Sequence, residues 1–189
     1  MSNYVFLVPV PGAKFCVLET VENFDDTGLL RKGQTLKPWP ANVRFHMDPN
    51  FPKAIQLADC ISNLASAFVA SKRLKEMIEA EHPANIEFLP ISIIDHKGRI
   101  ASADYFVINP SKLQDCIDKE ASILDWNAID TTLISDCEEL VIDEGRIDAG
   151  AKVFRLKHLP SKIMVKRDLA DKIKKEKFTG VFFTEISDI

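Results

Sequence analysis

Histidine is the side chain whose charge changes nearest neutral pH, so His46, His82, His96 and His158 are where acid–base or metal chemistry would start. They are scattered, and none has a second histidine three to five residues away, the spacing that puts two imidazoles on one helix face or across one turn. His46 and Asp48 form the one local imidazole–carboxylate pair to consider, because side chains two apart on a strand share a face. Asp48-Pro49-Asn50, however, reads as a turn that separates them. His96, next to Asp95, falls at an expected hairpin tip, where solvation is the ordinary outcome. The seven glycines never stand two apart, and no G-x-G-x-x-G, Walker or G-x-S-x-G pattern occurs. Cys60, Cys116 and Cys137 each follow an aspartate, which disfavours the thiolate that a nucleophile needs. The residues therefore offer no catalytic group, no metal ligand set and no cofactor motif. A site assembled by the fold from distant residues leaves no such signature, so a small cytoplasmic enzyme or ligand-binding protein is the alternative to keep.

The elements that would position any site are mixed in type. Residues 4–8 and 14–21 alternate as strands around a Pro9-Val10-Pro11-Gly12 turn. The stretch 24–52, with Gly28, Gly33, Pro38, Pro40, Pro49 and Pro52, reads as an irregular surface-wrapping segment in which only 43–47 is strand-like. Ile55, Ala58, Ile61, Leu64 and Ala65 recur at helical spacing and predict a helix from about residue 54. Another helix begins at Ser71, a good N-cap, carries Leu74, Met77 and Ile78 on one face, and ends at Pro83. Residues 86–94 and 100–108 flank Asp95-His96-Lys97-Gly98-Arg99 and predict a β-hairpin. Short strands at 140–142 and 153–156, a helix at 167–177 and a strand at 181–186 complete the chain. With no βαβ rhythm, the expected class is α+β, with a mixed or antiparallel sheet and helices.

Sliding the chain by 95 residues, without a gap, lays 69–91 on 164–186. Leu74 then falls on Leu169, Ile78 on Ile173, Glu81 on Glu176 and Phe88 on Phe183. Asn85 falls on Gly180, and these are the residue types that best tolerate a left-handed helix end. A duplicated helix-turn-strand unit is expected, its strands at 86–91 and 181–186 pairing about a pseudo-symmetry axis. The expected division is an N-terminal part, 1–53, with strands and the irregular Pro-rich segment, packed on an α+β domain at 54–189 in one compact unit.

A chain of 189 residues, 46% hydrophobic and 28% charged, can bury a core and is not disordered, collagenous or disulfide-built. Its four cysteines lie far apart and read as reduced, mostly buried thiols of a cytosolic protein. The first residues lack the positive region of a signal peptide, and no apolar run approaches the length of a membrane span. A net charge of −4 argues against a general nucleic-acid coat or an anionic-membrane binder. That small total hides two blocks. Residues 104–150 carry twelve acidic side chains against Lys112, Lys119 and Arg146, whereas 151–177 carry ten basic against three acidic. The basic block reads as the solvated face of a helix. The acidic block would steer and bind a basic protein, such as a nuclease whose surface is built for phosphates. The partner-binding residues expected from it are Asp136, Glu138, Glu139, Asp143 and Glu144, with Trp126 as an apolar anchor; Trp39 is a second possible anchor.

Several of these residues also carry a family resemblance. The run 86–91 (Ile-Glu-Phe-Leu-Pro-Ile), Gly98, Tyr105-Phe106-Val107-Ile108-Asn109-Pro110, the spacing from Asp118 to Ser122, Val153-Phe154-Arg155-Leu156 and the closing Gly180-Val181-Phe182-Phe183 resemble, in that order, an immunity-protein family of bacterial polymorphic toxin systems. It is typified by a myxobacterial member and was first catalogued as a domain of unknown function. The resemblance covers about residues 54–186. It implies a cytoplasmic antidote used in bacterial competition: a non-enzymatic protein, without cofactor or metal, that binds a cognate protein toxin, often a nuclease delivered between cells, and blocks it. It implies no direct contact with nucleic acid or membrane, and it assigns no toxin-contacting residue.

Overall fold

Extended segments with alternating apolar residues dominate the chain and assemble two sheets around a pair of short helices. In the computed structural model, which describes residues 2–188, the strands and helices run β1 (Tyr4–Pro9), β2 (Leu18–Glu22), β3 (Arg44–Met47), β4 (Cys60–Ile61), β5 (Val69–Ser71), α1 (Lys72–Ala80), β6 (Ile86–Ile94), β7 (Ile100–Pro110), β8 (Leu113–Gln114), β9 (Ile123–Trp126), β10 (Ile134–Glu139), β11 (Val153–Leu156), β12 (Ile163–Lys166), α2 (Arg167–Lys175) and β13 (Val181–Thr184). Met1 and Ile189, the outermost residues of the 1–53 and 54–189 division, lie outside the described residues. One sheet has the order β2-β3-β6-β7-β5-β4, the other β13-β1-β12-β11-β8, and β9 and β10 form a separate hairpin. The class is α+β, with β predominant. Among the described residues no helix is long and apolar enough to cross a membrane.

The 95-residue offset holds in three dimensions. The helices α1 and α2 stand 95 residues apart at both ends. So do the left-handed pairs His82 (φ 48°) with Lys177 (φ 54°) and Asn85 (φ 57°) with Gly180 (φ 73°). Ser71 caps α1, accepting a 3.2 Å hydrogen bond from the Leu74 amide. Its counterpart Lys166 makes no side-chain cap, and α2 instead places Lys172, Lys174 and Lys175 in its last turn, where the helix dipole favours cations. The unit proves larger than a helix and a strand. In each copy two parallel strands flank a third that runs antiparallel to both: β5 and β6 around β7, and β12 and β13 around β1. The registers coincide. Val107 pairs with Val69 and Leu89, as Phe6 pairs with Met164 and Thr184. Tyr105-Phe106-Val107-Ile108-Asn109-Pro110 is thereby the counterpart of Tyr4-Val5-Phe6-Leu7-Val8-Pro9. The shared strand follows the unit in the first copy and precedes it in the second, so the duplication is circularly permuted.

Two expectations are corrected. The strands at 86–91 and 181–186 do not pair, because each is satisfied by its own copy's central strand and they belong to different sheets. The helix expected from residue 54 is absent. Its backbone groups are taken by β-type bonds to the β2 region, with Leu18 donating to Ser62 (2.9 Å) and Leu64 to Leu18 (3.0 Å), and two residues of the supposed apolar face, Ile55 and Leu64, are exposed.

The core is stacked in three parts. Between the sheets lie Leu74 and Ile78 of α1, Leu169 and Ile173 of α2, and the inward residues Val5, Leu7, Ala70, Ile108 and Val165. Glu81 at the end of α1 reaches Lys172 of α2 (2.5 Å) and Lys152 beside β11 (2.8 Å), so charge as well as packing joins the copies. The far face of the six-stranded sheet is covered by the irregular N-terminal segment through Leu30, Leu36 and Val43. That segment is tied to the other sheet by the fully buried Arg155, which donates to the carbonyls of Leu30 (3.1 Å) and Pro160 (2.7 Å) and whose pKa burial lowers to about 10. The far face of the five-stranded sheet is covered by the acidic block.

Candidate functional site

Apart from Asp104, which lies on β7, the acidic block is an amphipathic outer layer. Cys116, Ile117, Ile134 and Leu140 turn inward onto Phe6, Phe154 and Met164 of the five-stranded sheet, which leaves the carboxylates on the outside. Polar side chains organise its backbone. Asp118 accepts from the amides of Glu120 and Ala121, and Ser122 accepts from the Val141 amide at 2.9 Å. Asn127 accepts from the Ile129 and Asp130 amides at the tip of the β9–β10 hairpin. Of the twelve acidic residues only Asp115, Asp143 and Asp148 have a Lys or Arg partner among the described residues: Lys157, Arg146 and Lys112. The basic block spends its other ion pairs elsewhere, on Glu81, Glu185, Asp168 and Asp171. The negative charge of the layer is therefore mostly uncompensated.

An open groove of about 990 Å³ runs where this layer meets Ser2 and residues 185–187. Ile123, Leu140, Ile142 and Ile186 give it an apolar lining, and Glu138, Glu139, Glu144 and Glu185 give it carboxylates. Two of the four are committed. Glu144 accepts from Ser2 Oγ (2.7 Å) and from the Asn3 amide and Nδ2 (both 2.8 Å). Burial works to raise its pKa, but those hydrogen bonds outweigh it and hold the group below its ordinary value. Glu185 binds Arg167 through two bonds of 2.8 and 2.6 Å, which likewise keep it below the usual range. A general acid needs the opposite shift. Glu138 and Glu139 have no ion pair or side-chain hydrogen bond among the described residues, and beside them Ile123 is 53% exposed. An uncompensated carboxylate pair next to exposed apolar surface suits a cationic, partly apolar partner.

The structure thus separates the expected contact residues. Glu138, Glu139 and Glu144 come together in the groove. Asp136 is exposed on the same strand, outside it. Asp143 turns inward on itself, accepting from the Gly145 amide (3.0 Å) and pairing with Arg146 (2.9 Å). Trp126 sits on β9 with its ring edge against His158, 5.3 Å between centroids. Trp39 is half-buried against Phe24 and donates to the Pro90 carbonyl (2.9 Å). Ser2, Ile123, Glu185 and Ile186 complete the groove without any sequence signal, because they meet only through the fold. His46 pairs with Glu22 (3.2 Å) rather than with Asp48, which is buried and accepts from the Asn50 amide. The thiols of Cys16, Cys60 and Cys116 are buried, which pushes them up to about 11, 12 and 11. Among the described residues no group of three or more His, Cys, Asp or Glu side chains gathers as a metal site.

No curated protein matches the sequence. One family model, described as the immunity protein family Imm11, matches residues 13–188, which takes in most of the N-terminal segment that the motif resemblance left out. With nearly its whole length matched, the chain belongs to the Imm11 immunity protein family.

Proposed function

We propose that this chain is a cytoplasmic immunity protein of a polymorphic toxin system that neutralises a cognate toxin by binding it, and that the toxin is a basic protein of the nuclease kind. Family membership supports the immunity role. The observation that carries the rest is the acidic layer, whose carboxylates Glu138 and Glu139, unpaired among the described residues, stand in the groove beside its apolar lining. Uncompensated negative charge speeds the encounter with a basic partner, and apolar surface beside it retains the partner once docked. Asp136, Glu138 and Glu139 form the outward side of the proposed interface. Asp143, Glu144 and Trp126 belong to it as residues that shape the layer.

The test is co-expression with the product of the neighbouring reading frame, scoring growth rescue and a purifiable complex. Replacing Asp136, Glu138 and Glu139 together by Lys is expected to weaken that complex by at least about tenfold and to flatten its salt dependence. A folded triple variant with unchanged affinity and salt slope would show that the acidic layer is not the docking face.

A further inference from the structure

The two copies of the permuted unit are covered differently. In the first, the outward cross-strand pair Glu87–Asn109 is capped by residues 34–37 of the wrapping segment. Leu36 and Lys37 donate their amides to Glu87 (2.8 and 3.2 Å), and Asn109 donates to the Gln34 carbonyl (2.8 Å). In the second copy the same two positions are Phe182 on β13 and Val8 on β1, again cross-strand neighbours. Among the described residues nothing caps them: Phe182 is 58% exposed and Val8 38%, and the following Val10 is 41% exposed. Moreover, β6 is flanked on its outer side by β3, whereas β13 is the outermost strand of its sheet. The surface that a stretch of backbone fills in one copy is bare and apolar in the other. Exposed sheet edges are ordinarily protected by charge, proline or a covering segment, and an apolar one left open marks a place where another chain adds.

We propose that an extended segment of the cognate toxin docks along β13 and places a bulky apolar side chain on the Phe182–Val8 pair, in the position that residues 34–37 hold on the first copy. This rests on the toxin-binding reading above. The side-chain chemistry decides what is recognised. A carboxylate and an amide, as at Glu87 and Asn109, select peptide N–H and C=O groups; a phenyl ring and an isopropyl group select an apolar side chain, and the unpaired outer edge of β13 supplies the backbone bonds. The location favours the same partner, because Glu185 and Ile186, immediately after β13, line the acidic groove.

The experiment uses the wild-type complex with the product of the neighbouring reading frame. Phe182→Asp is expected to raise its Kd by at least about 30-fold, as loss of a central apolar anchor does. A photo-crosslinking amino acid at position 182 is expected to capture the toxin, whereas the same group at Ile100, exposed on the other sheet, is not; this second readout decides the matter if Phe182→Asp fails to fold. The assignment is overturned if folded Phe182→Asp binds with wild-type affinity, or if the crosslink joins two copies of this chain. A complex lost on reversing Asp136, Glu138 and Glu139 but kept by Phe182→Asp overturns this assignment alone. Absence of any complex with the wild-type chain removes the toxin reading itself.

Discussion

At the scale of residues, charge does two separate jobs. Glu138 and Glu139 have no ion-pair partner among the described residues, whereas Glu81 is held between Lys152 and Lys172 at the contact between the copies. Hydrogen bonds from the two lysines hold the Glu81 pKa at about 2 against an ordinary value of 4.5. A folded-state pKa below the unfolded one means that the carboxylate stabilises the fold above the unfolded value, a contribution lost as the pH falls from about 4.5 to about 2. Glu81→Gln is therefore expected to cost about 1 kcal/mol at pH 6. It should also lose less stability than the wild type between pH 6 and pH 3, as urea unfolding midpoints at the two values will show. The neutrality of the thiols is also a matter of residue environment: with Cys16, Cys60 and Cys116 buried and pushed up by desolvation, they are packing groups.

At the scale of elements, the two helix-to-strand turns solve one problem with different residues. Gly180 (φ 73°) lies so close to β4 that a Cβ would run into the Cys60 carbonyl oxygen and the Ala58 methyl, whereas Asn85 holds the equivalent left-handed position with a full side chain. Gly180→Ala is expected to destabilise by more than about 2 kcal/mol and Asn85→Ala by about 1 kcal/mol, a difference that thermal unfolding resolves. Elements of this kind are where sequence reading succeeds. The Ser71 cap, the hairpin around Gly98 and the offset between the copies are written in residues close together or repeated at fixed spacing. The supposed helix at 54 fails because Ile55, Ala58 and Ile61 have helical spacing while the backbone of this stretch is taken by Lys14, Cys16 and Leu18 through Gln56, Ser62 and Leu64 and by β5 through Cys60–Ile61, a tertiary choice that local periodicity does not contain. The groove is legible only by half. Glu138, Glu139 and Glu144 stand out as part of a charge run, but Ser2 and Glu185 join them across nearly the whole chain.

At the scale of the whole molecule, the layers run from the wrapping N-terminal segment through two sheets and their enclosed helices to the acidic layer. Cover is unequal on the outer faces: one copy of the unit is closed by the N-terminal wrapping segment, the other by the acidic layer, which leaves Phe182 on β13 exposed. The permutation has a consequence for time as well as shape. The first copy, β5 to β7, is contiguous and can close through local contacts. The second must wait for Tyr4–Pro9 to meet Ile163–Lys166 and Val181–Thr184, a loop closure over most of the chain, which slows folding. Arg167 already bonds both the Ser2 carbonyl and Glu185, so the chain start and the end of β13 lie side by side. A circular permutant that carries Tyr4–Pro9 directly after β13, in the order the first copy uses, is expected to reach the same native fold and to refold at least about tenfold faster in stopped-flow measurements. For a protein of an immunity family, the interval between synthesis and the closing of that last sheet is a delay before each new copy has its native surface.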